Sequence, residues 1–169
     1  MIHDIDLILS LVKSKVVRID ANGVAVISNT PDIANARLQF ENGCVANVTA
    51  SRISQKKMRK MRLFQYNAYI SIDFADGVSE VFRLADEHTP LAKSTKMLGK
   101  IEEGLRKRVI TYEKPKVREV NALKYELERF IESVQKNIEP PVTGRDGLHA
   151  LEVAQEILQK IESQTIKVA

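Results

Sequence analysis

Three side chains able to do chemistry fall within the first six residues, "MIHDID": His3, Asp4 and Asp6. His3 and Asp6 are three apart, so on an opening helical turn both point toward the same place. The positive end of a helix favours neutral imidazole, the form that accepts a proton as a general base. The pair therefore suits proton transfer, with Asp6 holding the histidine or its substrate. The plainer reading is that an Asp at a helix start is a cap, and Asp4 takes that exposed capping role. Nothing else along the chain completes a catalytic site. The seven glycines never fall as G-x-G, which excludes a dinucleotide fingerprint. A P-loop, a histidine pair at metal spacing and a nucleophile elbow are all missing. By its residues, the sequence holds half of an active site.

The rest of the composition narrows the class. A length of 169 residues, 44% hydrophobic and 28% charged, is that of one ordinary globular domain spanning 1–169. The single cysteine, Cys44, rules out an internal disulfide, and no leader or long apolar run occurs, so the cytoplasm is expected. The net charge of +4 is concentrated in "SRISQKKMRKMR", where Arg52, Lys56, Lys57, Arg59, Lys60 and Arg62 meet no acid. Such a run suits nucleic acid, a membrane surface or an anionic small molecule, or is a charged sheet edge that resists pairing. The low aromatic content disfavours a nucleic-acid platform.

The elements that must position the first residues follow from periodicity. Ile5, Ile8, Leu9 and Val12 repeat at helical spacing. "VVRIDANGVAVIS" reads as a strand. "IANARLQFENGCVANVTASRI" reads as a hairpin whose three-residue Glu41-Asn42-Gly43 loop sets Phe40 opposite Cys44, Leu38 opposite Ala46 and Ala36 opposite Val48. That register predicts a buried, inert Cys44. Strands are expected near 60–66, 69–74 and 78–84, and "VITYE" returns as another. The stretch "DEHTPLAKSTKMLGKIEEGLRKR" reads as a surface excursion with a helical turn. Two amphipathic stripes close the chain, Val120 to Val134 and Leu148 to Ile161, with Thr143 and Asp146 at capping-box spacing before the second. The expected fold is α+β: a predominantly antiparallel open sheet of about six strands, with helices packed on one face.

"MIHDIDLILSLV" resembles the opening of the C-terminal domain in the Gfo/Idh/MocA oxidoreductases, where a D-x-x-x-H-x-x-D stretch starts the helix after the nucleotide-binding domain. The late "PPVTGRDGLHALEVAQEI" also resembles that family's closing helix, and the likeness runs over essentially the whole chain. It implies that His3 is the catalytic acid/base and that Asp6, the motif's last acid, contacts substrate. The motif's first Asp lies off this chain, as does the N-terminal Rossmann domain with its E-K-P lysine. Glu113-Lys114-Pro115 spells that tripeptide after the wrong strand, so Lys114 receives no catalytic role. The hairpin and basic segment look most like the nucleotide-sugar branch, the UDP-N-acetylglucosamine 3-dehydrogenases, and a diphosphate substrate would give Arg52 a partner.

The resemblance thus implies a substrate-binding and oligomerisation domain of an NAD- or NADP-dependent sugar or nucleotide-sugar oxidoreductase. The cofactor belongs to the full-length enzyme. This chain alone is expected to bind none, to be inactive, and to form a homodimer or tetramer through its sheet face, with no membrane. The rival readings are a non-catalytic homo-oligomeric assembly module and, more weakly, a basic nucleic-acid-binding domain.

Overall fold

Ile5, Ile8, Leu9 and Val12 turn one apolar stripe inward and wind Ile2–Val12 into helix α1. Lys13 ends it in the left-handed conformation, its N–H donating to the Leu9 carbonyl. The computed structural model describes residues 1–55, 58–90, 92, 94–103, 106–118 and 120–164.

Three antiparallel strands follow in the order β1 (Val16–Val24), β2 (Ile33–Phe40) and β3 (Val45–Ser51). The β2–β3 hairpin has the register expected from its sequence, with Leu38 facing Ala46 and Ala36 facing Val48. The Phe40 N–H donates to the Cys44 carbonyl at 2.9 Å, and Gly43 takes a positive φ of 83° that an L side chain would resist. Alternation then puts Ala36, Leu38 and Phe40 on one face with Ile19 and Ala21 of β1.

Helix α3 (Gly144–Gln164) packs on β1 and against α1, bringing Ala150, Val153, Ile157 and Ile161 onto that face. Its start is a reciprocal cap. Thr143 N–H and hydroxyl donate to Asp146 Oδ2 at 2.7 and 2.6 Å, while Asp146 N–H donates to Thr143 Oγ1 at 3.2 Å. The expected burial of Cys44 is overturned: its residue is exposed. The register is right, but the helices cover β1 and β2, and Val48 is the one buried residue of β3.

A second antiparallel sheet, in the order β4-β5-β6-β8-β7, contains β4 (Lys60–Gln65), β5 (Ala68–Asp73), β6 (Val78–Asp86), β7 (Lys96–Glu103) and β8 (Arg106–Glu113). The fold class is therefore the expected α+β with open antiparallel sheets, built from sheets of three and five strands rather than one of about six. The added strand β7 lies in the stretch read as a surface excursion.

Contacts cluster the chain into two compact units, Met1–Gln55 with Leu123–Ala169, and Lys56–Ala122. Helix α2 (Ala122–Lys136) belongs chiefly to the first. Ser133 is its one buried residue, and its apolar stripe lies open.

Candidate functional site

His3 stands exposed on the first turn of α1, and Asp6 lies half-buried one turn later. The helix is capped at Met1 by no side chain. Asp4, assigned the exposed capping role, is instead half-buried in the first turn, 3.5 Å from the terminal ammonium. His3 and Asp6 are thus held three residues apart on the first turns of α1.

Asp6, Leu9, Ser10 and Lys13 share one side of α1, as helical spacing requires. Together with Lys15 and with Asp146 and His149 of α3 they line a groove of about 520 Å³. His149 was not singled out by its sequence, because only the packing of α3 on α1 brings it beside Asp6. Its spacing from Asp146, three residues on one helix, was the available signal. The side chains of Asp6, Lys13, Lys15 and His149 form no hydrogen bond or ion pair among the described residues. Asp146 is engaged by the α3 cap, and the Thr143 hydroxyl, then the Thr143 N–H, hold its carboxyl below the usual carboxylate range.

Arg52 is already occupied. Its Nε lies 3.3 Å from Asp32 Oδ1, and its Nη2 donates to Thr30 Oγ1 and the Pro31 carbonyl at 2.9 and 2.5 Å. Asp32 is only 3% exposed. Its Oδ2 accepts the N–H groups of Val26, Ile27 and Ser28 at 2.7–3.0 Å, and the Ser28 hydroxyl donates to Oδ1. Those backbone donors, Ser28 foremost, hold its carboxyl far below the ordinary range. The guanidinium for which the sequence suggests a phosphate partner thus clasps the 26–32 loop, with its side chain still half exposed.

The other cations divide. Lys60 pairs with Asp73 at 2.9 Å, Arg59 lies 5.0 Å above the Phe74 ring, and Arg62 is exposed. Lys56 and Lys57 lie outside the described residues.

Within the five-stranded unit, Phe64, Tyr69, Phe82 and Tyr112 form a row across β4, β5, β6 and β8, with successive centroids 4.9, 5.6 and 5.1 Å apart. The cross-strand register puts these four positions in line. A separate cleft of about 540 Å³ includes Tyr66, Arg83, Thr111 and Glu113.

No three metal-ligating side chains converge, and no helix is long and apolar enough to cross a membrane, among the described residues. No described strand runs through a glycine turn into a helix, so these residues do not fit a dinucleotide pyrophosphate. Lys114 is exposed just past β8.

Comparison with known proteins gives one family and a consistent set of relatives. The Gfo/Idh/MocA model described as "Oxidoreductase family, C-terminal alpha/beta domain" matches residues 1–169. The UDP-N-acetylglucosamine 3-dehydrogenase of Acidithiobacillus ferrooxidans is 34% identical over 116 residues, 62% of this chain and 37% of that protein. A solved structure of the A. ferrooxidans enzyme GnnA superposes with a TM-score of 0.81 at 27% identity, over 96% of this chain and 47% of that one. The WlbA dehydrogenase from Bordetella pertussis, solved with NADH and UDP-GlcNAcA, shares the fold at a TM-score of 0.62 and 14% identity, over 97% of this chain and 41% of that one. The chain spans less than half the length of each.

Proposed function

Because the chain belongs to the Gfo/Idh/MocA oxidoreductase family as its C-terminal alpha/beta domain, we propose that it forms the substrate side of a cytoplasmic NAD(P)-dependent nucleotide-sugar dehydrogenase. The observation that carries this reading is the placement of His3 and Asp6 at the start of α1, in a chain matched from end to end by that family. This reading gives the dinucleotide to a separate nucleotide-binding domain, as the described residues hold no glycine turn between a strand and a helix to cradle its pyrophosphate.

This chain's own chemistry is proton transfer. Oxidising a sugar's secondary alcohol to a ketone removes a hydride and a proton, and His3 takes the hydroxyl proton as general base. Exposure at a helix start leaves its imidazole open to a substrate, and Asp6, whose side chain has no hydrogen bond or ion pair among the described residues, orients the histidine or a sugar hydroxyl. Arg52 enters indirectly, by fixing the 26–32 loop through Asp32. The open face of the five-stranded sheet, with Phe64 78% exposed at the end of its aromatic row, supports homo-oligomer formation through that face.

The test is to join the chain to a nucleotide-binding domain and assay oxidation of UDP-N-acetylglucosamine. His3→Ala is expected to lower turnover by roughly 10²–10⁴ while dinucleotide affinity survives, the usual range for losing a general acid/base. Asp6→Asn should do less damage, and Lys114→Ala should leave activity unchanged. A harmless His3→Ala would refute the assignment.

A further inference from the structure

The cleft of about 540 Å³ in the five-stranded unit is built around one arginine. Cross-strand register sets Ala68, Arg83 and Thr111 in a line over β5, β6 and β8. Ala68 and Thr111 are small and buried, so the long side chain of Arg83 stands between two shorter neighbours. The Tyr66-Asn67 turn walls one side, its Asn67 carbonyl accepting the Leu84 N–H at 2.8 Å. Thr95 walls the other, its hydroxyl donating to Glu113 Oε1 at 2.5 Å. The polar groups here are unequally engaged. Asp86 and Arg108 oppose each other across β6 and β8, and strand alternation puts both on the sheet face away from Arg83. The Arg83 guanidinium has no hydrogen bond or ion pair among the described residues, and neither has the Asn67 amide. Thr111, 3% exposed, spends its hydroxyl on a long bond of 3.3 Å to the Arg83 carbonyl.

We propose that this cleft binds a monosaccharide carrying one anionic group, with that group on Arg83 and the ring hydroxyls on Glu113 and Asn67. A guanidinium forks onto a phosphate or a carboxylate equally well, so either can be the anion. The second oxygen of Glu113 is left to accept a sugar hydroxyl, and the exposed Tyr66 ring at the rim suits the apolar face of a pyranose. The volume falls within the range of about 300–1,000 Å³ usual for small-molecule sites. A diphosphate or a nucleic-acid backbone is the poorer fit, because Glu113 repels a second negative group beside the one free cation of the cleft. Neither His3 nor a dinucleotide enters this binding, so it stands or falls apart from the dehydrogenase reading.

The experiment is isothermal titration of the 169-residue chain with glucose 1-phosphate and, separately, with glucuronate. Glucose and inorganic phosphate are the controls. One of the charged sugars should bind at least about tenfold more tightly than either control, and which one binds identifies the anion. Arg83→Gln should weaken that binding by about tenfold or more, and Arg83→Lys, which keeps the charge but loses the fork, should cost less. Arg62→Gln, at an exposed arginine of β4 outside the cleft, should change nothing. Circular dichroism verifies that each variant is folded. Four results overturn the proposal. Neither charged sugar binds by about 10 mM, weaker than the weakest useful small-molecule affinities. Inorganic phosphate or glucose binds as tightly as the charged sugar. Arg83→Gln and Arg83→Lys both bind as wild type does. Arg62→Gln costs as much as Arg83→Gln, which reduces the effect to net charge.

Discussion

Gly23 and Ile161 occupy the same space but for one missing carbon: a Cβ on Gly23 would stand 2.7 Å from Ile161 Cγ2. It would also press on Pro31 Cβ at 3.1 Å and the Ile33 carbonyl at 3.2 Å. Gly23 is therefore the point on β1 that lets α3 lie against the three-stranded sheet. Gly23→Ala should destabilise the fold by about 1–3 kcal/mol, the usual cost of overpacking. Adding Ile161→Ala should make the Gly23→Ala step cheaper. Urea denaturation of the four proteins in the cycle measures that coupling.

The Asp32 clasp predicts a pH dependence. Its carboxyl is held far down in the folded loop, whereas an unfolded chain titrates near the ordinary value of about 3.9. A depressed folded value stabilises above the unfolded one and loses that contribution as pH falls through the folded one. Asp32→Ala should lower the melting temperature at pH 7 by about 5 °C. Below about pH 4 the gap from wild type should narrow. A gap unchanged from pH 7 to pH 2 would mean the carboxylate charge contributes nothing.

The α3 cap is reciprocal, so either half can be removed. Thr143→Ala should cost about 1 kcal/mol, while Thr143→Ser, which keeps the hydroxyl, should cost much less. Thermal denaturation followed by circular dichroism separates the two.

Cys44 should react quickly and stoichiometrically with a thiol reagent in native protein, since its residue is exposed at the hairpin end. Slow labelling that accelerates in denaturant would show the hairpin tip to be covered.

Local chemistry was legible in the sequence where the partners are near neighbours. The three-residue hairpin loop followed from matching apolar faces across Glu41-Asn42-Gly43, and the Thr143–Asp146 cap from spacing alone. Cys44 shows where that stops: register decides which face a side chain is on, but not whether a helix reaches that end of the sheet. Strand β7 was missed because "KMLGKIEE" neither alternates nor carries more than one β-branched residue, and its ladder with β8 supplies what propensity lacks. The Arg52–Asp32 clasp and the company of His149 with Asp6 depend on contacts between distant segments, which no periodicity encodes. The helix that carries His3 and Asp6 was legible from its apolar repeat, Ile5, Ile8, Leu9 and Val12.

The aromatic row has an optical consequence. The chain has no tryptophan and four tyrosines: Tyr66, Tyr69, Tyr112 and Tyr125. Two stand in the row, Tyr66 lies in the turn between β4 and β5, and Tyr125 rides alone on α2. Residues 1–55 and 137–164 carry none, so the three-stranded sheet with α1 and α3 contributes no tyrosine emission. Tyrosine fluorescence thus reports on the five-stranded sheet and α2, while circular dichroism sees every helix. In Tyr66→Phe, Tyr69→Phe and Tyr112→Phe combined, the remaining emission comes from Tyr125 alone, and the protein becomes its own single-site sensor for whatever settles on that helix.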